Sequence, residues 1–244
     1  MDIQEGRIVK GINFGGIKEV GNPVEMGRYY AEQGADELVY LDITATKEKR
    51  KVFLSLVREI ARNINIPFTV GGGITGIEDV NLLLEAGADK ISINSAAVKN
   101  ASLITEMAKR FGSQCIVVAM DVKMENPDGD WTVYVNGGRI KTAKNAHGWA
   151  LQAQEAGAGE ILLTSMNHDG TKNGFALHLT REISLSLNIP VIASGGAGKM
   201  QDFADVFTIG CANAALAASV FHYKEIEIPE LKRYLLSQKI AVRQ

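Results

Sequence analysis

Apolar residues in this chain fall into short runs separated by longer amphipathic segments. The runs are Glu37–Ile43 (ELVYLDI), Phe68–Gly73 (FTVGGG), Lys90–Ala96 (KISINSA), Cys115–Lys123 (CIVVAMDVK), Glu160–Met166 (EILLTSM), Val191–Gly196 (VIASGG) and Ala214–Ser219 (AALAAS). They are too short for helices, rich in Val and Ile, and apolar at both parities, the pattern of parallel strands buried on both faces. The segments between them, such as Pro23–Gln33, Glu48–Asn63, Gly76–Glu85 and Ser102–Arg110, predict helices. Several start at Pro or a capping residue and stop near a glycine, as at Gly34, Gly87 and Gly157. Met1-Asp2-Ile3, followed by a turn-like Gln4-Glu5-Gly6, reads as the end of a further strand. Pro127-Asp128-Gly129 and Asn136-Gly137 within Met124–Thr142 predict a small hairpin inserted after the fifth strand.

The pattern repeats at half-chain scale. GADELVYLD (Gly34–Asp42) matches GAGEILLTS (Gly157–Ser165), and FTVGGGI (Phe68–Ile74) matches VIASGGA (Val191–Ala197), both at an offset of 123 residues. NSAAV (Asn94–Val98) is echoed by ASVFH (Ala218–His222) at an offset of 124. Three blocks in order at nearly one spacing predict two half-barrels of four βα units each. The expected fold is an α/β (β/α)8 TIM barrel spanning residues 1–244 as one domain.

Composition narrows the function classes. A formal charge of −2 gives no general basic field, so nucleic acid is not an expected partner. No apolar stretch is long enough to span a bilayer, and the acidic start lacks a leader pattern, so a cytoplasmic protein is expected. Cys115 and Cys211 suggest neither a disulfide framework nor a metal knuckle, and Cys115 reads as a buried thiol. The histidines at 147, 168, 178 and 222 share no metal-ligand spacing, so no metal or cofactor is expected; His168 is the one expected at the working face.

In a barrel of this kind the strand C-termini form that working face. Gly71-Gly72-Gly73 and Ser194-Gly195-Gly196 each end a strand with glycines that let backbone N–H groups approach an anion. Asn94-Ser95 and Ala218-Ser219 end the next strand in each half. The repeat-related pairs predict two phosphate sites, hence a ligand with a phosphate at both ends; chain-turning glycines are the plainer alternative. Asp2, Asp42 and Asp121 interrupt or end apolar strands, where a carboxylate is costly unless it is solvated, paired or used. Asp2 and Asp121 fall on opposite walls and could act as acid and base on one molecule. Asp169 lies on the loop after the sixth strand, where an Asp-Gly turn is the simpler reading. Lys10 is a candidate phosphate or sugar clamp from the first loop. At the opposite end, Glu37, Lys90 and Glu160 begin alternate strands and could form a charged layer, either a plug or a gated passage.

Taken together, GRIVKGINF, ADELVYLDITA, PFTVGGGI, GADKISINSAAV, FGSQCIVVAMDVK, GAGEILLTSMNHDGTKNG, IPVIASGGAGKM and AALAASVFHYKEI resemble the cyclase subunit of imidazole glycerol phosphate synthase over essentially the whole chain. The resemblance implies a barrel that receives ammonia from a glutaminase partner subunit. The ammonia reacts with a doubly phosphorylated ribulosyl aminoimidazole-carboxamide nucleotide, giving imidazole glycerol phosphate and the aminoimidazole carboxamide ribotide. It implies Asp2 and Asp121 as the acid/base pair and Lys10 as a substrate-contacting lysine. Gly73, Asn94 and Ser95 would form one phosphate site, and Gly196, Ala218 and Ser219 the other. Thr164 and Asp169 would line the pocket. Glu37, Lys90 and Glu160 would form an ammonia gate, with the glutaminase docked around it.

The sequence departs from the family pattern at its start, where members carry a further stretch of strand with an arginine of the charged layer. Strands two and eight are then expected to lack a shared neighbour and Asp2 to be poorly ordered. A version extended upstream by a strand is expected to cyclise faster. Asn213 stands where an Asp is usual, and Ala143 where Gly is frequent. Open alternatives are a same-fold sugar isomerase, a cyclase paralogue of a surface-sugar pathway, and a non-catalytic binding scaffold.

Overall fold

The computed structural model describes residues 1–12, 15–43, 50–126 and 129–243, with backbone alone for 10–12, 15–18 and 50–52. The strands are β1 (Asp2–Gln4), β2 (Arg7–Ile12), β3 (Gly15–Gly21), β4 (Leu38–Asp42), β5 (Phe68–Gly71), β6 (Lys90–Ile93), β7 (Ile116–Met124), β8 (Trp131–Val135), β9 (Ile140–Asn145), β10 (Glu160–Ser165), β11 (Val191–Ser194) and β12 (Ala214–Leu216). The helices are α1 (Pro23–Glu32), α2 (Arg50–Asn63), α3 (Ile77–Glu85), α4 (Ser95–Lys99), α5 (Ser102–Phe111), α6 (Ala146–Ala156), α7 (Leu177–Ser186), α8 (Met200–Thr208), α9 (Ser219–His222) and α10 (Ile228–Ser237).

Parallel pairing runs β12-β11-β10-β7-β6-β5-β4-β1, an α/β barrel sheet with helices between its strands. Ile91, Val118, Met120, Ile161 and Val191 are fully or almost fully buried, as expected for strands covered on both faces. Helix ends follow the glycine signals. After α6, Gly157 adopts φ 107°, a left-handed conformation that lets its N–H reach the carbonyls of Ala153 and Gln154.

The half-chain repeat is visible in the bonding. Asp89 accepts a hydrogen bond from Phe68 N at 2.9 Å and returns one from its own N–H to Phe68 O at 3.1 Å. Asn213 makes the same reciprocal pair with Val191, both at 3.0 Å. The amide oxygen of Asn213 therefore accepts as the Asp89 carboxylate does at the repeat-related position.

Three expectations are corrected. The run read as strand through Ala96 ends at Ile93, and that read through Ser219 ends at Leu216; in both cases a short helix follows. Asn94 (φ −127°, ψ −84°) and Ala218 (φ −124°, ψ −68°) bend the chain alike, which apolar periodicity does not register. Cys115 is only half-buried, because it ends a 3₁₀ turn ahead of β7. The start of the chain is tied on both sides. β1 pairs antiparallel with β2 through a Glu5-Gly6 turn with both φ positive, the geometry favoured in two-residue hairpins. On its other side β1 pairs parallel with β4, and the Met1 ammonium donates to Val39 O at 2.6 Å. Asp2 is thus held in a ladder. Among the described residues β12 pairs with β11 alone.

Candidate active site

Asp121 lies on β7 at the level where β10 presents Thr164, its direct register partner. Burial raises the Asp121 carboxyl to about pH 6. A hydrogen bond from Asn94 Nδ2 to Oδ2, 3.0 Å, opposes the shift, while the negative charges of Asp169 and Asp2 add to it. Both carboxylates therefore lie close enough to act on the Asp121 charge, although Asp2 comes from β1, four strands away along the sheet. Asn94 was expected in a phosphate site; its contact with Asp121 was missed, because no sequence signal marks which neighbour a strand-end amide will reach. Its Oδ1 is buried and has no partner among the described residues.

The glycine cradles flank this centre. Gly72 and Gly73 have φ 95° and 61°, and Gly195 and Gly196 have φ 91° and 111°. A Cβ on Gly72 would sit 2.0 Å from the Asp42 carbonyl oxygen, and one on Gly195 would sit 2.8 Å from that of Ser165. Asp42 and Ser165 are repeat equivalents, so each cradle packs on the end of the preceding strand in the same way. Gly196 is as tight as Gly72: its carbonyl accepts from Gly174 N at 2.8 Å, and a Cβ would meet Gly174 O at 2.0 Å. The loop after β10 is thereby fastened to the second cradle. On that loop Asp169 N donates to Ser165 O, and His168 Nδ1 lies 2.8 Å from Ser165 Oγ. Burial lowers the His168 pKa and favours the neutral ring. Ala218 caps and Ser219 begins α9 beyond β12. Ser95 accepts from Asn136 N at 2.9 Å, a contact with the inserted hairpin. Lys10 lies within β2 rather than on an open loop, opposite Lys18; its side chain is outside the described residues.

At the other end of the barrel, Lys90 Nζ donates to Glu37 Oε1 and Oε2 at 2.9 and 3.0 Å and to Glu160 Oε1 at 2.6 Å. Burial alone would lower the Lys90 pKa, but the bonds and charges of Glu160 and Glu37 outweigh it and hold the ammonium above its ordinary value. The three side chains form one cluster. Glu160 Oε2 is buried and makes no hydrogen bond among the described residues.

No helix among the described residues is long and apolar enough to cross a membrane. Residues 1–227 match the family model described as histidine biosynthesis protein. Over 243 residues, all of this chain and 96% of the relative, it is 59% identical to the imidazole glycerol phosphate synthase subunit HisF of Bacteroides fragilis. The same subunit of Flavobacterium johnsoniae is 56% identical and that of Clostridium botulinum 54%, with the same coverage. The chain belongs to the histidine-biosynthesis protein family, within its branch of HisF cyclase subunits of imidazole glycerol phosphate synthase.

Proposed function

We propose that the mouth around Asp121 converts the doubly phosphorylated ribulosyl aminoimidazole-carboxamide nucleotide, with ammonia, into imidazole glycerol phosphate and the aminoimidazole carboxamide ribotide. Closing an imidazole ring with ammonia requires addition to an electrophilic carbon, loss of water and departure of an amine, and each step moves protons. Asp121, a carboxylate near neutral pH yet more basic than an ordinary one, takes a proton in one step and can return it in a later one, with Asp2 as its partner carboxylate in the proton transfers. The observation that carries this reading is the Asp121 carboxyl, raised to about 6 and set between two glycine cradles of matching geometry. Gly73, Asn94 and Ser95 take one phosphate, and Gly195, Gly196, Ala218 and Ser219 the other. Thr164, Asp169 and Lys10 line the space between.

With Asp121 as the base, kcat measured at fixed free-ammonia concentration rises through about pH 6 and levels above it. Loss of activity above pH 6, with full activity below, would reverse the assignment.

Glu37, Lys90 and Glu160 serve as the entry gate for ammonia made by a glutaminase subunit docked on that face. Glu160 begins β10 and Thr164 lies four residues further along, roughly 13 Å at the usual rise of a strand. Passage along the barrel interior therefore links gate to mouth. Lys90→Met is expected to depress glutamine-dependent turnover by the assembled synthase at least about fivefold, while ammonia-dependent turnover stays within about twofold. Equal losses in the two assays would assign Lys90 a purely structural role.

A further inference from the structure

The hairpin β8–β9 runs back along β7 as far as Asp121. β7 continues beyond the barrel to Met124, and β8 pairs antiparallel with its last residues, placing Tyr134 opposite Asp121. Because β10 holds one edge of β7 as far as Ser165↔Val122, β8 takes the edge that β6 leaves free after Ile93. The hairpin therefore stands over the end of β6, where Asn94 and Ser95 emerge. Both residues touch it. Asn94 Nδ2, which donates to Asp121, also lies 3.4 Å from Tyr134 O, and Asn136 N donates to Ser95 Oγ at 2.9 Å.

We propose that this hairpin positions the first phosphate site, with Asn136 as the positioning residue that aims the Ser95 hydroxyl at a phosphate monoester; this rests on the reading of Asn94–Ser95 as a phosphate site. A serine hydroxyl has one hydrogen. Accepting the Asn136 N–H on its oxygen leaves that hydrogen to be donated elsewhere, as a phosphate oxygen requires. The tip is built to hold this aim. Asn136, Gly137 and Gly138 have φ 54°, 63° and 75°, a left-handed stretch that Asn and Gly tolerate, and Arg139 N closes it on Val135 O at 3.1 Å. Behind the tip, Tyr134 OH donates to Glu125, which also pairs with Lys141 at 3.3 Å, tying β8 and β9 to the extension of β7. One hairpin thus joins the Asp121 carboxyl to the phosphate end of the site.

Steady-state kinetics with the nucleotide substrate at saturating ammonia test this with four variants. Ser95→Ala should raise KM about 10- to 100-fold, the range for a hydrogen bond to a charged group, and Ser95→Thr should restore most of the loss. Replacing the Asn136–Arg139 tip by a two-residue Asn-Gly turn should raise KM about tenfold with kcat within about twofold. Gly137→Val should act in the same direction: nothing lies within 4 Å of a Cβ built there, and the positive φ strains a β-branched residue. It decides the question if the shortened tip does not fold. A parental KM in the tip variants beside an impaired Ser95→Ala would overturn the role of the hairpin. A parental KM in Ser95→Ala would overturn the phosphate reading itself.

Discussion

Asp121→Asn loses ammonia-dependent cyclisation by about a hundred- to ten-thousandfold in kcat, the usual weight of a positioned acid or base, while substrate affinity changes little. The amide keeps the shape of the carboxylate and can still accept from Asn94 Nδ2, but it cannot exchange a proton. The same substitution makes the protein more stable. The folded-state pKa, about 6, lies above the ordinary value of 3.8, so the folded protein disfavours the charged carboxylate. That cost is absent below about 3.8, grows as pH rises, and is complete above about 6. Removing it at neutral pH contributes on the order of 3 kcal/mol, and the gain should vanish at pH 3 to 4. Denaturant unfolding at pH 7.5 and pH 4 checks both halves. A variant that is inactive and also less stable at pH 7.5 would point to misfolding rather than lost chemistry.

Gly196→Ala damages both fold and site. The residue sits at φ 111°, and the added Cβ would meet Gly174 O at 2.0 Å and His168 Cβ at 3.0 Å. Neither backbone oxygen nor loop can yield without separating the second cradle from the loop that carries Asp169. A loss of about 3 kcal/mol or more is expected from the left-handed strain and overpacking together. That lowers Tm by roughly 6–12 °C for a chain of this size. KM for the nucleotide should rise at least tenfold in the folded fraction, since the cradle N–H groups are displaced. Gly148→Ala is the contrast: nothing lies within 4 Å of its added Cβ, and in α6 it should stabilise by up to about 1 kcal/mol. Thermal unfolding of the two variants side by side checks the sign of each effect.

Much of this was legible in the residues. Runs such as EILLTSM announced buried parallel strands, and the offset of 123 residues announced two half-barrels. The offset reappears in the way Gly72 packs on Asp42 and Gly195 on Ser165. What sequence left out were matters of placement. Asn136-Gly137 marked a hairpin, but its position over β6 follows from which edge of β7 is free, a property of the assembled sheet. The bond from Asn94 to Asp121 joins residues on neighbouring strands and has no local signature. The strand ends were overread at Ala96 and Ser219, because alanine and serine continue the apolar run while the backbone at Asn94 and Ala218 has already turned. Asp2 looked loose when read as a terminal residue. Pairing with β2 and β4, together with the Met1 ammonium on Val39 O, gives it two neighbours.

The most direct measurement is ammonia-dependent turnover of the ribulosyl nucleotide by this protein without any glutaminase, following both products in parallel with the Asp121→Asn variant. Imidazole glycerol phosphate and the aminoimidazole carboxamide ribotide should appear in equal amounts, and the variant should form neither at a comparable rate. Absence of both products from the parent protein, or equal rates in parent and variant, would contradict the assignment of this mouth as the cyclase site.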